Sequence, residues 1–271
     1  MVPSGQTYLD KSRGWKPPCY FMHIPKTAGT SLRHMLDRRY TPEQICPAYY
    51  TRELLALSRQ QLAQYRFFRG HFYNLLPRVV PPPLEIFTFL RAPLERSLSH
   101  YDQVLRSDFH YFHHKAHEQG VLREFLEDPE TRPMIANYQA RSLVWDHDPW
   151  EFASQFSAAE LSDYKLEMRL ESDMLEHLSP QALLEKAIER LESFAFVGLA
   201  ERFDESLVQL FRRFGWGSPP SAVRENQAPA RLRWESLSSG EKAMLQELTQ
   251  VDQQLYEYAC RRLARPRAIA A

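Results

Sequence analysis

Four short apolar runs divide the chain, and each is followed by a polar stretch or by helical spacing. The runs are Cys19 to Ile24, Tyr65 to Gly70, Leu84 to Leu90 and Phe194 to Leu199. Runs of this length bounded by Pro, Gly or polar residues predict buried strands. After the first, Leu32, Met35 and Leu36 recur at helical spacing and predict a helix to about Tyr40. Residues 51 to 64 carry Leu54, Leu55, Leu57 and Leu62 and predict one amphipathic helix. After the third run, Pro93 fits a first helical turn, and Leu94, Leu98, Tyr101 and Leu105 form a stripe behind it. Ser179-Pro180 reads as an N-cap and first residue for a helix containing Leu183, Leu184, Ile188 and Leu191. A helix from Glu201 to Phe214 follows the fourth run, and Ser238 to Leu263 reads as one long final helix. Each strand feeds a helix or a long connection. The expected fold is therefore α/β, a central, mostly parallel sheet of about four to five strands flanked by helices. Residues 1–271 read as a single domain, with an N-terminal arm over 1–18 and a frayed tail over 264–271.

Composition narrows the choice of partners. Lys plus Arg and Asp plus Glu each total 34, so the net charge is zero. A nucleic-acid protein is usually basic, so none is expected as a partner, and any anion site must be local. No apolar stretch suits a membrane span, and the N-terminus carries no signal-peptide core. Three widely spaced cysteines, Cys19, Cys46 and Cys260, make neither a disulfide framework nor a zinc spacing. The expected setting is reducing and cytoplasmic.

Chemistry concentrates between the first strand and its helix. Pro25 breaks the apolar run, and Lys26-Thr27-Ala28-Gly29-Thr30-Ser31 makes a small, hydroxyl-rich turn. A strand, a tight loop and a helix N-terminus aim free N–H groups and the positive end of the helix dipole at one spot. Lys26 adds a full charge, and Thr27, Thr30 and Ser31 add hydroxyl donors. The loop is not a Walker sequence, because Lys26 leads it and no Gly-Lys-Ser/Thr ends it. His71 ends the second strand and Arg91 ends the third. The carboxyl ends of parallel strands are where α/β proteins place their ligands, so Lys26, His71 and Arg91 converge there.

The run from His23 to Ser31 resembles the phosphosulfate-binding loop of sulfotransferases. Its order Pro-Lys-Thr-Ala-Gly-Thr-Ser is most similar to sulfotransferase family 2, which includes bacterial carbohydrate-type enzymes and heparan 2-O-sulfotransferases. Arg91-Ala92-Pro93-Leu94-Glu95-Arg96-Ser97-Leu98-Ser99 is similar to the family's Arg-x-Pro-x-x-Arg-x-x-Ser motif, and Gly70-His71 to the dipeptide that supplies its base. The resemblance spans about residues 19 to 263 and implies a P-loop-NTPase-like arrangement of the sheet. It implies 3′-phosphoadenosine 5′-phosphosulfate as sulfuryl donor, with no metal. Lys26, Thr27, Ala28, Gly29, Thr30 and Ser31 would hold the phosphosulfate, while Arg91 and Ser99 would hold the 3′-phosphate. His71 would take the acceptor's proton, and Lys26 would stabilise the leaving group. Arg96 sits where the family also carries Arg. The amides of Asn137 and Gln139, with Arg141, would order a cleft wall. Arg224, Asn226 and Arg231 fall in a late loop that closes over the cofactor in related enzymes. The phrase around Glu201 reads as fold structure.

The acceptor is expected to be a glycan, a glycolipid or a small hydroxylated metabolite. Heparan is not carried over, because the chain is neutral and shows no membrane anchor. His110, His113, His114 and His117 would share a face if helical. No acidic partners complete a metal set, and the better reading has them line the acceptor cleft. Two other classes remain, a nucleotide-dependent phosphotransferase and a non-catalytic binder of adenosine bisphosphate.

Overall fold

The computed structural model describes residues 17–145, 148–157, 159–160, 178–220 and 232–264. Strands β1 (Cys19–Met22), β2 (Phe67–Gly70), β3 (Glu85–Leu90) and β4 (Phe196–Leu199) form one parallel sheet in the order β2-β1-β3-β4. Every residue of β1 and β4 is buried. That is why these strands read as continuous apolar runs instead of alternating ones. Aromatic stacking knits the sheet's core, with Phe21 and Phe87 ring centroids 5.4 Å apart.

Helices fill the connections. The first five are α1 (Gly29–Asp37), α2 (Thr51–Leu55), α3 (Arg59–Leu62), α4 (Leu76–Val79) and α5 (Pro93–Arg106). Next come α6 (His113–Gln119), α7 (Leu122–Glu127), α8 (Tyr138–Val144) and α9 (Pro149–Ala153). The last are α10 (Pro180–Ser193), α11 (Phe203–Phe214), α12 (Ser239–Leu248) and α13 (Gln250–Ala264). From β1 the chain crosses to β2 on one side, and from β3 to β4 on the other. The reversal point lies between β1 and β3, and a crevice opens there outside the carboxyl ends of the strands.

Two expected helices are broken. The stretch 51–64 divides because Ser58 accepts a hydrogen bond from the Gln61 N–H at 3.2 Å, while its own N–H donates to Gln61 Oε1 at 2.8 Å. This reciprocal cap starts a new helix. The final helix divides at Thr249. There Asn137 intrudes: its N–H donates to Leu248 O at 2.8 Å, and its Oδ1 accepts from the N–H groups of Val251 and Asp252 at 2.9 and 3.2 Å. One side chain thus caps the second half of the break. Asp252 returns the favour at the start of α8, accepting from Gln139 N–H and Ala140 N–H at 3.0 and 2.7 Å. Burial pushes the Asp252 carboxyl up to about 6, against those hydrogen bonds, which lower it. The helix after β1 starts earlier than its apolar stripe, at Gly29, and stops at Asp37. Arg224, Asn226 and Arg231 lie outside the described residues, as do most of the terminal arm and tail.

Candidate active site

The crevice is a cleft of about 1180 Å³. It is lined by the loop after β1, by His71 with Tyr49 and Tyr50, and by a face of α5. Glu95, Ser99, Asp102 and Arg106 recur on that face at helical spacing, so the helix lines the cleft for most of its length. Glu201 and Trp234 close the remaining side.

The loop is held in a conformation that L-residues avoid. Lys26 and Ala28 have φ of 72° and 66°, a left-handed backbone that costs of order 1–3 kcal/mol at a non-glycine residue. Three polar contacts hold it. Thr27 Oγ1 donates to Ile24 O at 2.8 Å, Arg96 Nε to Pro25 O at 3.2 Å, and Arg91 Nη1 to Lys26 O at 3.3 Å. The result is an uncapped helix start. No side chain caps α1, and its first turn carries no acidic residue. The positive end of the helix dipole therefore meets the cleft with no carboxylate of its own first turn against it. Gly29 is required here, because a Cβ on it would lie 1.8 Å from His23 Nε2.

Lys26, Ala28, Gly29, Thr30 and Ser31 all line the cleft. Thr27 is fully buried with its hydroxyl turned inward, so its side chain fixes the loop and only its backbone is left for a ligand. Burial lowers the Lys26 ammonium to about 8, helped by the positive charges of Arg106, Arg91 and Arg96 and opposed by Asp102. Repulsion among cations in one pocket is relieved when an anion enters.

His71 is fixed from its backbone outward. Its N–H donates to Tyr49 O at 2.8 Å, and its carbonyl accepts from Thr51 Oγ1 at 3.1 Å. Its ring Nδ1 lies 2.8 Å from the carbonyl oxygen of His23. A carbonyl only accepts, so Nδ1 carries the proton and Nε2 keeps its lone pair. Burial is the main cause that lowers His71 to about 4. The His23 carbonyl works against it, and the Arg33 charge with it.

Arg91 and Ser99 also face the cleft. Gln139 sets the position of Arg91. Its Oε1 accepts the Arg91 N–H at 2.9 Å, and its Nε2 donates to the Arg91 carbonyl at 2.8 Å. The expected role of this amide in ordering a wall thus takes a definite form. Arg141 reaches the carbonyls of Ala136 and Pro133, away from the cleft. Glu201 does more than the fold-structure role expected of it. It accepts from Ala92 N–H at 2.9 Å and from Tyr256 Oη at 2.7 Å, and lies 3.9 Å from Arg91 Nε. Arg96 is fully buried over the Tyr138 ring, 4.0 Å from its centroid, and serves the loop from beneath.

The histidine segment does not line the cleft. His113 Nδ1 donates to Val104 O and His117 Nε2 to Leu105 O, both at 3.0 Å, so they cap the end of α5. His110 precedes the helix, with Nδ1 accepting from Phe112 N–H. The four do not share one helical face: His110 lies before the helix, and His113 and His117 meet one turn apart, centroids 4.5 Å, over the open carbonyls at the end of α5.

Residues that sequence reasoning passed over are His23, Tyr49, Glu201 and Arg106. His23 lay within the loop motif, yet nothing in sequence tied it to His71. Tyr49 had no signal beyond preceding a helix.

The structure is an α/β protein whose parallel sheet opens onto one cleft, and that cleft brings together Lys26, His71, Arg91 and Ser99. The sequence model of the sulfotransferase family matches residues 17–264, and the chain belongs to that family. No curated protein matches it. Among the described residues no helix is long and apolar enough to cross a membrane.

Proposed function

We propose that this chain transfers a sulfuryl group from 3′-phosphoadenosine 5′-phosphosulfate to a hydroxyl of a glycan, glycolipid or small metabolite. The observation that carries this reading is one cleft lined by both the Lys26 loop and the His71 imidazole, whose Nε2 keeps its lone pair. The residues present fit such a donor. It has two anionic ends, and the cleft carries both Lys26 with the start of α1 and Arg91 with Ser99. The bound donor supplies an activated sulfuryl group on a phosphate leaving group.

His71 Nε2 accepts the proton of the attacking hydroxyl. The imidazolium so formed keeps its Nδ1–H on the His23 carbonyl, which stabilises the charge. Lys26 and the N–H groups of α1 stabilise negative charge growing on the leaving phosphate. Arg91 and Ser99 grip the 3′-phosphate and so select against ATP.

Calorimetry with adenosine 3′,5′-bisphosphate tests the donor directly. It should bind more tightly than ADP or ATP, and Arg91→Ala should weaken it about tenfold to a hundredfold, as loss of a charged hydrogen bond does. Equal or tighter binding of ATP moves the reading to a nucleotide-dependent phosphotransferase. Tight bisphosphate binding without turnover on any hydroxylated acceptor points to a non-catalytic binder.

The pH profile follows from the two groups. His71 works deprotonated, so kcat/KM should rise as pH passes about 4. Lys26 works protonated, so it should fall as pH passes about 8. An anionic donor favours the protonated form of both, so both limbs should shift upward in kcat. An acid limb that survives unchanged in a His71 variant would remove His71 from the role of base.

A further inference from the structure

The last helix reaches the Arg91 end of the cleft by two routes. Asp252 and Tyr256 stand four residues apart on α13, one turn along a single face. Asp252 is buried and accepts from the Gln139 and Ala140 N–H groups, and the Gln139 side chain in turn brackets the Arg91 backbone at 2.9 and 2.8 Å. Tyr256 Oη donates to Glu201 Oε2 at 2.7 Å, and Glu201 Oε1 accepts from the next backbone N–H, that of Ala92, at 2.9 Å. The proposed reaction leaves Glu201 and Tyr256 without a task.

Arg91 needs such support, because its side chain has little of its own. The guanidinium makes one long hydrogen bond, to Lys26 O at 3.3 Å, and two loose ion pairs, to Glu95 at 3.5 Å and to Glu201 at 3.9 Å. A side chain so weakly held points where its backbone sends it, within its rotamers. That backbone turns from strand to helix in two residues, with β3 ending at Leu90 and α5 starting at Pro93.

The start of α5 is capped from outside. In a capping box the helix's own third residue takes the N–H of the residue before the first turn. Glu95 holds that third place, yet it turns to Arg91 and the cleft, and Ala92 has no side chain to cap the helix. Glu201 takes the Ala92 N–H instead, from 109 residues away. Its negative charge suits the positive end of α5. A glutamate held in one geometry loses rotamer freedom, and the Tyr256 hydroxyl on its second oxygen offsets that loss.

We propose that Glu201 and Tyr256 are positioning residues for Arg91, and that through them α13 sets how strongly the cleft prefers a ligand with a 3′-phosphate. The inference rests on the reading of Arg91 as the 3′-phosphate ligand.

The test is calorimetry with adenosine 3′,5′-bisphosphate and with AMP, which differ only in the 3′-phosphate. In wild type the bisphosphate should bind more tightly. Tyr256→Phe keeps the ring and removes one hydroxyl. It should weaken the bisphosphate about threefold to tenfold and leave AMP unchanged. In an Arg91→Ala background the same change should have no effect, because the residue it acts through is gone. Glu201→Ala should narrow the preference as Tyr256→Phe does. Glu201→Gln should keep most of it, since its amide oxygen can still accept from the Ala92 N–H. If Glu201→Ala does not fold, Tyr256→Phe in the two backgrounds decides. Three results overturn the inference and leave the donor reading intact: Tyr256→Phe weakens both ligands alike, keeps its full effect in the Arg91→Ala background, or binds the bisphosphate as wild type does. Wild type that binds AMP as tightly as the bisphosphate removes the donor reading, and the inference with it.

Discussion

His71→Ala lowers kcat about 10²–10⁴-fold, the range for removing a positioned general base, and leaves the affinity for adenosine 3′,5′-bisphosphate unchanged. The reason is geometric. The His71 Nδ1–H is committed to the His23 carbonyl at 2.8 Å, so the ring can only offer Nε2 to the cleft. Its basicity is low because it is buried, which keeps it in the accepting form over the whole neutral range. Alanine also removes a ring that stacks on His23 and meets Tyr49 edge-on, with centroids 4.6 and 4.9 Å away. His71→Asn separates these effects. Its amide can still donate to the His23 carbonyl, but it has no basic nitrogen. Both variants should lose turnover equally in a single-turnover assay. A His71→Asn protein that keeps full turnover would end the role proposed for His71.

Lys26→Ala lowers kcat about 10²–10³-fold, as loss of one preorganised donor to developing charge does. Bisphosphate affinity should fall less. Charge on the leaving phosphate is greater in the transition state than in the bound donor, so the missing ammonium is felt most there. The loop should keep its shape in this variant, because Thr27, Arg91 and Arg96 hold it through side chain to backbone contacts that Lys26's side chain does not share. The alkaline limb of the pH profile at about 8 should vanish with Lys26. Equal losses in affinity and turnover would make Lys26 a binding residue without a share in the chemical step.

The four strands were legible because buried parallel strands are apolar on both faces, and such runs stand out from polar surroundings. The loop was legible because its strand, its Lys26 and the helix behind it are contiguous in the chain. Boundaries were less so. Ser58 and Asn137 each break a helix whose hydrophobic spacing runs straight through, because a capping hydrogen bond outweighs a few tenths of a kcal/mol per residue of helix preference. The histidine segment misled for a similar reason. Spacing put His113 and His117 one turn apart, but it carries no record of where the helix begins, which leaves His110 outside it, or of the Val104 and Leu105 carbonyls waiting there.

From sequence alone came the α/β class, the expectation of an anion cradle at Lys26 and, through the resemblance to sulfotransferases, the candidates His71, Arg91 and Ser99. Each rests on residues contiguous within one strand, loop or helix. Only the tertiary structure set the register that stacks His23 on His71, the carbonyl that fixes the His71 tautomer, the Tyr49 phenol 2.6 Å from His23 Nδ1, and the Gln139 amide that clamps Arg91 from 48 residues away. Each of these is a contact between distant segments. Such contacts depend on which strands lie side by side and at what level, and no local periodicity encodes that.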